Sequence, residues 1–291
     1  MTAAVKPESA YRRIAVQPLT GALGAEIGGV DLARPLDEAT AREIRDAFRD
    51  HLVIYFPDQP IDHDRHVAVA ELFGPVITLP QIFSLPEAPR LQVVRREAEA
   101  KGAVVGGGWH TDSTFLERPP AAVVMRAIDV PAYGGDTAFA NQYLAYETLS
   151  PGLRTVLDGL RAVHSGTRVF GSRRGNRPRS FELPTGKEEE GDREIVHPVV
   201  CTHPVSGRKH LFVNGTFIQR FEGWTEEESA PLLHFLYAHC AKMEFTCRVR
   251  WRKDQLLVWD NRATHHRAIA DYDGNFRYLL RATVEGPRPV A

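Results

Sequence analysis

The segment Trp109-His110-Thr111-Asp112 sets an imidazole and a carboxylate two residues apart. In an extended chain alternate side chains share a face, so this spacing predicts both groups pointing into one cavity. A remote second histidine would complete a set of two His and one carboxylate. That set leaves open positions on a metal, as non-haem Fe(II) chemistry with oxygen and a chelating co-substrate requires. An H-x-D pair recurs by chance, so its meaning depends on the third ligand. Of twelve histidines, His265 and His266 stand out because they follow one buried-looking strand (LLVWD) and precede another. If that stretch is extended, neighbours face opposite ways and at most one can join the site. Spacing does not choose between them.

A second chemical signal lies downstream in FRYLLRATV. With a period of two, Arg277, Leu279, Arg281 and Thr283 share a face, the two arginine Cα atoms roughly 13 Å apart. Guanidinium groups on an apolar strand are costly unless each meets an anion or a carboxylate. Arginine suits planar, bidentate carboxylate recognition better than lysine does. Beside a metal triad, two bound anions are the reading these residues favour over internal ion pairs.

The elements that must position these groups are mostly strands. Asp37 to His51 reads as an amphipathic helix with Ile44, Ala47 and Phe48 on one face, and 52–56 as a buried strand ending at Pro57. A second helix is expected over His63 to Phe73, stopping at Gly74-Pro75, and a third within 226–242, its start delayed by Pro231. The stretch 244–251 alternates, with Phe245, Cys247, Val249 and Trp251 on one side, and strands follow at 256–260 and 276–284. The sequence therefore predicts a mainly β core with added helices. Residues 1–12 read as a leader and 13–291 as a single domain. Segments 102–108 and 131–135 read as loops, and the polar stretch 171–192 as a loop able to serve as a lid.

Composition excludes several classes. Lys plus Arg (36) balance Asp plus Glu (37), so no global field points to nucleic acid or a membrane surface. No run reaches the roughly 18 apolar residues of a membrane helix, and the first residues lack a signal-peptide core. Three dispersed cysteines make neither a disulfide framework nor a zinc pattern. A reducing, cytoplasmic location is expected.

Several segments together resemble the taurine dioxygenase and 2,4-dichlorophenoxyacetate dioxygenase family. They are TGALGAEIGGVDL, WHTDSTFLERPP, GGDT at 134–137, HPVVCTHPVSGRKHLFVN, WDNRATHH and FRYLLRAT, in family order across almost the whole chain. The resemblance implies a double-stranded β-helix (jelly roll, cupin-like) and an Fe(II) enzyme using 2-oxoglutarate and O2 as co-substrates. By it, His110, Asp112 and His266 are the iron ligands, and His265 points away. Arg277 and Thr137 bind the distal carboxylate of 2-oxoglutarate, and Arg281 receives the anionic group of the primary substrate. Phe170 and Phe217 match aromatic pocket positions, and the segment 79–83, Ile82 in particular, is expected to supply another wall. Gly108 stands where taurine enzymes carry a substrate-holding asparagine. The stretches VVRREAEAKG, WHTDSTFLERPPAAVVMRAIDVP, AVHSGTRVFGS and FTCRVRWRKDQLLVWDN look most like (R)-selective phenoxypropionate (aryloxyalkanoate, dichlorprop) dioxygenases. Such an enzyme cleaves an (R)-2-aryloxypropionate to a phenol and pyruvate, with succinate and CO2 formed from the co-substrate. A sulfonate or alkyl-sulfate dioxygenase is the rival within the family. Family members are commonly homodimers or homotetramers, and the expected partner is a small anionic molecule.

Overall fold

A computed structural model of the chain describes residues 11–100, 104, 106–174 and 188–291. Its frame is a nine-stranded sheet among the described residues, ordered Ala15–Pro18, Ala25–Gly28, Val53–Phe56, Leu256–Asp260, Ala122–Asp129, Arg277–Val284, Ala88–Arg96, Ser84–Leu85, with Val76–Ile77 also pairing with Arg277–Val284. A three-stranded sheet of Thr246–Val249, Thr137–Asn141 and Thr264–Ala268 faces it. Between the two lie Val123, Met125, Leu257, Trp259 and Leu279 from the large sheet and Phe139, Cys247 and Val249 from the small one. The core is thus mainly β, a double-stranded β-helix, and the site lies between its two sheets.

The alternation read in 244–251 is present: Phe245, Cys247, Val249 and Trp251 are all buried. The other face of the large sheet is covered by helices Glu38–His51 and His63–Glu71, which contribute Ile44, Ala47, Phe48, Val67 and Val69 to a second cluster. Each starts on a capping aspartate: Thr40 N–H donates to Asp37 at 3.0 Å and Arg65 N–H to Asp62 at 2.8 Å. The second helix ends at Glu71, short of the expected Phe73, and the chain turns before Gly74, whose φ is +138°.

Helix Glu226–Cys240 corrects one expectation. Pro231 does not delay its start, because a capping box between Thr225 and Glu228 fixes the first turn ahead of the proline. The missing N–H of Pro231 leaves over the carbonyl of exposed Glu227, which water can serve.

Leader residues 1–10 lie outside the described residues. Tyr11 is buried and its hydroxyl donates to Asp50 at 3.2 Å, while Arg12 N–H donates to Glu43. Among the described residues, packing onto the core starts at Tyr11. Of the segment read as a lid, 175–187 lie outside the described residues, and at its flanks Ser172 N–H donates to Asp192 at 2.9 Å. The three cysteines are free and buried, and burial pushes the Cys201 and Cys247 thiols up to about 12. No helix among the described residues is long and apolar enough to cross a membrane.

Candidate active site

Strand Thr264–Ala268 pairs antiparallel with Thr137–Asn141, which sets His266 opposite Phe139. On its other edge it meets His110 through one isolated antiparallel bridge. His110 N–H donates to His266 O at 3.0 Å, and His266 N–H to His110 O at 2.8 Å. The imidazole centroids are 4.2 Å apart. Strand alternation sends His265 to the opposite side, where it is buried and hydrogen-bonds the backbone of Val213.

Asp112 arrives differently from the expectation. The chain stops being extended after His110 and turns, with Ser113 at φ +54°. The carboxylate is therefore delivered by a turn and not by the far side of a strand. The reason is a clamp formed by residues remote in sequence. Asp112 N–H donates to Asn261 Oδ1 at 2.9 Å, Asn261 Nδ2 donates to Asp112 O at 3.1 Å and Pro120 O at 3.0 Å, and Thr111 Oγ1 donates to Thr264 O at 3.0 Å. Asn261 is the residue that sequence reasoning passed over. Its signal was an amide directly after the buried strand LLVWD, where only a paired polar group is tolerated.

The outcome is that His110, Asp112 and His266 each offer a ligand atom within 4.8 Å of the others. Asp112 Oδ1 lies 3.4 Å from His110 Nε2 and 3.7 Å from His266 Nε2. His110 Nδ1 is 2.8 Å from Gly108 O, which can only accept; a ring proton is therefore on Nδ1, and Nε2 is the atom turned toward Asp112. Burial pushes His266 down to about 3, so its ring is neutral. Burial alone would raise the Asp112 carboxyl, but the Arg281 guanidinium beside it outweighs that and holds it well below the usual range. Two imidazoles turning Nε2 toward an ionised carboxylate beside an open cavity fit a divalent iron.

That cavity has a volume of about 860 Å³ and is lined by all three ligand candidates together with Thr137, Arg277 and Arg281. The arginines share one face of their strand, as read, and both are buried. Arg281 Nη1 is 2.9 Å from Asp112 Oδ2, its Nε donates to Thr283 Oγ1 at 2.9 Å, and its Nη2 has no hydrogen-bond partner. Arg281 is thus shared between the Asp112 carboxylate and the cavity.

Arg277 has no such carboxylate. Burial pushes its guanidinium downward, against Tyr272 and the more distant Asp136, and its Nε has no partner. It lies 5.7 Å from the Trp251 ring centroid and 5.8 Å from that of Tyr272. The GGDT segment makes room for it. A Cβ on Gly135 (φ +68°) would meet Tyr272 at 3.2 Å and Arg277 Cδ at 3.4 Å, and one on Gly134 would lie 2.5 Å from Asp271 O. Asp136 itself pairs with Arg248. A buried cation with no ion-pair partner among the described residues is suited to receive an external anion.

Ile82, Phe170 and Phe217 all line the cavity, and so does Gly108. Phe115 ties the two phenylalanines together, with centroids 5.3 Å from Phe170 and 5.1 Å from Phe217.

The profile of the taurine catabolism dioxygenase TauD, TfdA family matches residues 15–283. The chain belongs to this family. A sulfate ester dioxygenase of Pseudomonas putida, named as alpha-ketoglutarate-dependent, is 36% identical over 94% of this chain and 90% of its own length. An alpha-ketoglutarate-dependent 2,4-dichlorophenoxyacetate dioxygenase of Cupriavidus pinatubonensis is 32% identical over 92% and 96%. The crystal structure of a taurine dioxygenase from Burkholderia xenovorans superposes with a TM-score of 0.81 at 34% identity, covering 96% of this chain and 93% of that one. This TauD, TfdA family member is therefore a 2-oxoglutarate-dependent dioxygenase using Fe(II) and O2, and its substrate is a small molecule.

Proposed function

We propose that His110, Asp112 and His266 hold the iron, that Arg277 and Thr137 bind the distal carboxylate of 2-oxoglutarate, and that Arg281 receives the anionic head of an (R)-2-aryloxypropionate. The observation that carries this reading is the pair of buried guanidinium groups lining one cavity beside the His-Asp-His set. Arg277 lacks an ion-pair partner among the described residues, and Arg281 keeps Nη2 free. Two anion receptors call for two anionic ligands, a co-substrate and a substrate.

When bound, the ferrous ion supplies the oxidising power by coupling O2 reduction to the decarboxylation of 2-oxoglutarate to succinate and CO2. The protein's share is positioning. Arg277 and Thr137 fix one end of the co-substrate. Arg281 anchors the substrate carboxylate next to Asp112. Ile82, Phe170 and Phe217 hold its aryl body and keep water from the reacting carbon. With the acid anchored there, the carbon bearing the ether oxygen is the one presented for hydroxylation. The resulting hemiketal collapses to a phenol and pyruvate.

The test is oxygen uptake and phenol release with Fe(II), 2-oxoglutarate and (R)-dichlorprop. Succinate formed without phenol would overturn the substrate and leave the co-substrate assignment standing. Arg281→Ala is expected to lose substrate turnover while slow, uncoupled succinate formation remains; unchanged affinity for every acidic substrate would overturn its role.

A second reading, an alkyl-sulfate or sulfonate as substrate, is favoured by the 36% identity to the sulfate ester dioxygenase. Arg281 N–H donors suit a sulfur oxyanion as well as a carboxylate. Coupled turnover on hexyl sulfate or taurine in place of dichlorprop would select it. A cytoplasmic homodimer or homotetramer is the assembly supported by the family resemblance, and sedimentation velocity tests it.

A further inference from the structure

Trp251 stands just beyond strand Thr246–Val249, and its ring is buried in the core between the sheets. Its edge reaches the cavity beside Thr137 and Arg277. Trp251 Nε1 donates to Thr137 Oγ1 at 2.9 Å, a buried bond between residues far apart in the chain. An indole N–H can only donate, whereas a threonine hydroxyl carries one proton and two acceptor lone pairs. The bond therefore occupies the acceptor side of Thr137. Both backbone faces of Thr137 are engaged in strand pairing, to Val249 and to Ala268, so its side chain has a fixed base. The hydroxyl proton has no hydrogen-bonded acceptor among the described residues.

We propose that Trp251 is a positioning residue for the co-substrate: its N–H holds the Thr137 oxygen so that the hydroxyl proton is presented to the carboxylate bound by Arg277. This rests on the reading of Thr137 and Arg277 as the co-substrate's distal site. Indole suits the task because a tyrosine or a neutral histidine could donate or accept and would leave the direction of the Thr137 proton undefined. Trp251 also walls the Arg277 guanidinium from one side, so that loss of packing is the competing explanation for any defect at this position.

The experiment is calorimetric binding to the Mn(II)-loaded full chain, with 2-oxoglutarate and with 2-oxobutyrate, which lacks the distal carboxylate. Trp251→Phe is expected to weaken 2-oxoglutarate binding about fivefold, the scale of one net hydrogen bond. It should leave 2-oxobutyrate binding unchanged and weaken nothing further in a Thr137→Val background. Thr137→Ser is expected to bind as the wild type, because Trp251 still holds its oxygen; this variant carries the test if Trp251→Phe does not fold. Equal losses for both ligands, or the same loss with and without the Thr137 hydroxyl, would mean packing alone and overturn the proposal. So would a Thr137→Ser protein as weak as Thr137→Val. A Thr137→Val protein that binds 2-oxoglutarate normally overturns the distal-site reading as well, which separates the two failures.

Discussion

Two buried clusters in this protein are built from the same residue types and do opposite things. In one, His203 Nε2 lies 3.0 Å from Asp260 Oδ2, and Arg262 Nε donates to Asp260 Oδ1 at 3.0 Å. His203 Nδ1 accepts from the backbone N–H groups of Val205 at 3.3 Å and Ser206 at 3.1 Å. None of this cluster's buried imidazole, carboxylate or guanidinium atoms is left without a partner. In the other, His266 Nδ1, Arg281 Nη2 and Arg277 Nε have no hydrogen-bond partner among the described residues, and the three residues line a cavity. Burial is common to both; what differs is completion. A finished network rigidifies, and here it braces the turn that carries Asn261 and hence Asp112. An unfinished one is stabilised only when ligands arrive.

The sharpest way to break this contrast is to remove each aspartate. Asp112→Ala should abolish succinate formation at any Fe(II) concentration. Asp260→Ala strands His203 and Arg262 in the core. It should cost about 3–5 kcal/mol of stability, read from chemical denaturation. Reversed outcomes, with Asp260→Ala stable or Asp112→Ala turning over, would erase the distinction.

That contrast also marks what was legible in the sequence. The period of two in 276–284 put Arg277 and Arg281 on one face, and alternation in 264–268 required that His265 and His266 part company. Both are local rules, and both hold in the structure. The delivery of Asp112 was not legible, because the turn after His110 is set by Asn261, 149 residues away. The same limit applied at Pro231, where local chemistry suggested a late start and the capping box at Thr225 decided otherwise. Phe170 and Phe217 were matched from family resemblance and Ile82 was expected as a further wall where the segment departs from the family, and their meeting in one cavity is a product of tertiary packing.

Buried histidines outside the metal set give a pH signature to the completed core. Burial pushes His66 and His210 down to about 4 and His265 to about 3. Below pH ~6.5 the unfolded chain takes up protons that these folded imidazoles refuse. Stability should therefore fall as pH drops from about 6.5 toward 4, by about 1.4 kcal/mol per histidine per pH unit at full effect. Denaturation curves of the apo-protein between pH 7 and 4.5 check this. A flat profile would mean that these rings are protonated in the fold.

On the unfinished side, Arg277→Ala removes a cation that has no ion-pair partner among the described residues. A charge-assisted hydrogen bond is worth about 1.5–3 kcal/mol, so the KM for 2-oxoglutarate should rise about 10- to 100-fold. At saturating 2-oxoglutarate kcat should largely recover. Stability should change little or improve, since a desolvated charge is removed. A fall in stability comparable to that of Asp260→Ala would place Arg277 with the completed network.

The smallest expected effect concerns the wall of the cavity and discriminates its two candidate substrates. Phe170 is only partly buried and stacks at a tilt of 51° against Phe115. Phe170→Leu keeps an apolar side chain and removes the ring, so what is lost is the aromatic contribution beyond area, about 0.5–1.5 kcal/mol. An aryl substrate should feel that loss as a two- to tenfold fall in kcat/KM (roughly, by the same scale), while an alkyl sulfate, which offers no ring, should not. Equal losses on (R)-dichlorprop and hexyl sulfate would show that Phe170 acts as filler in this wall. A loss confined to the alkyl sulfate would move the aryl-binding role elsewhere in the cavity and strengthen the sulfate reading.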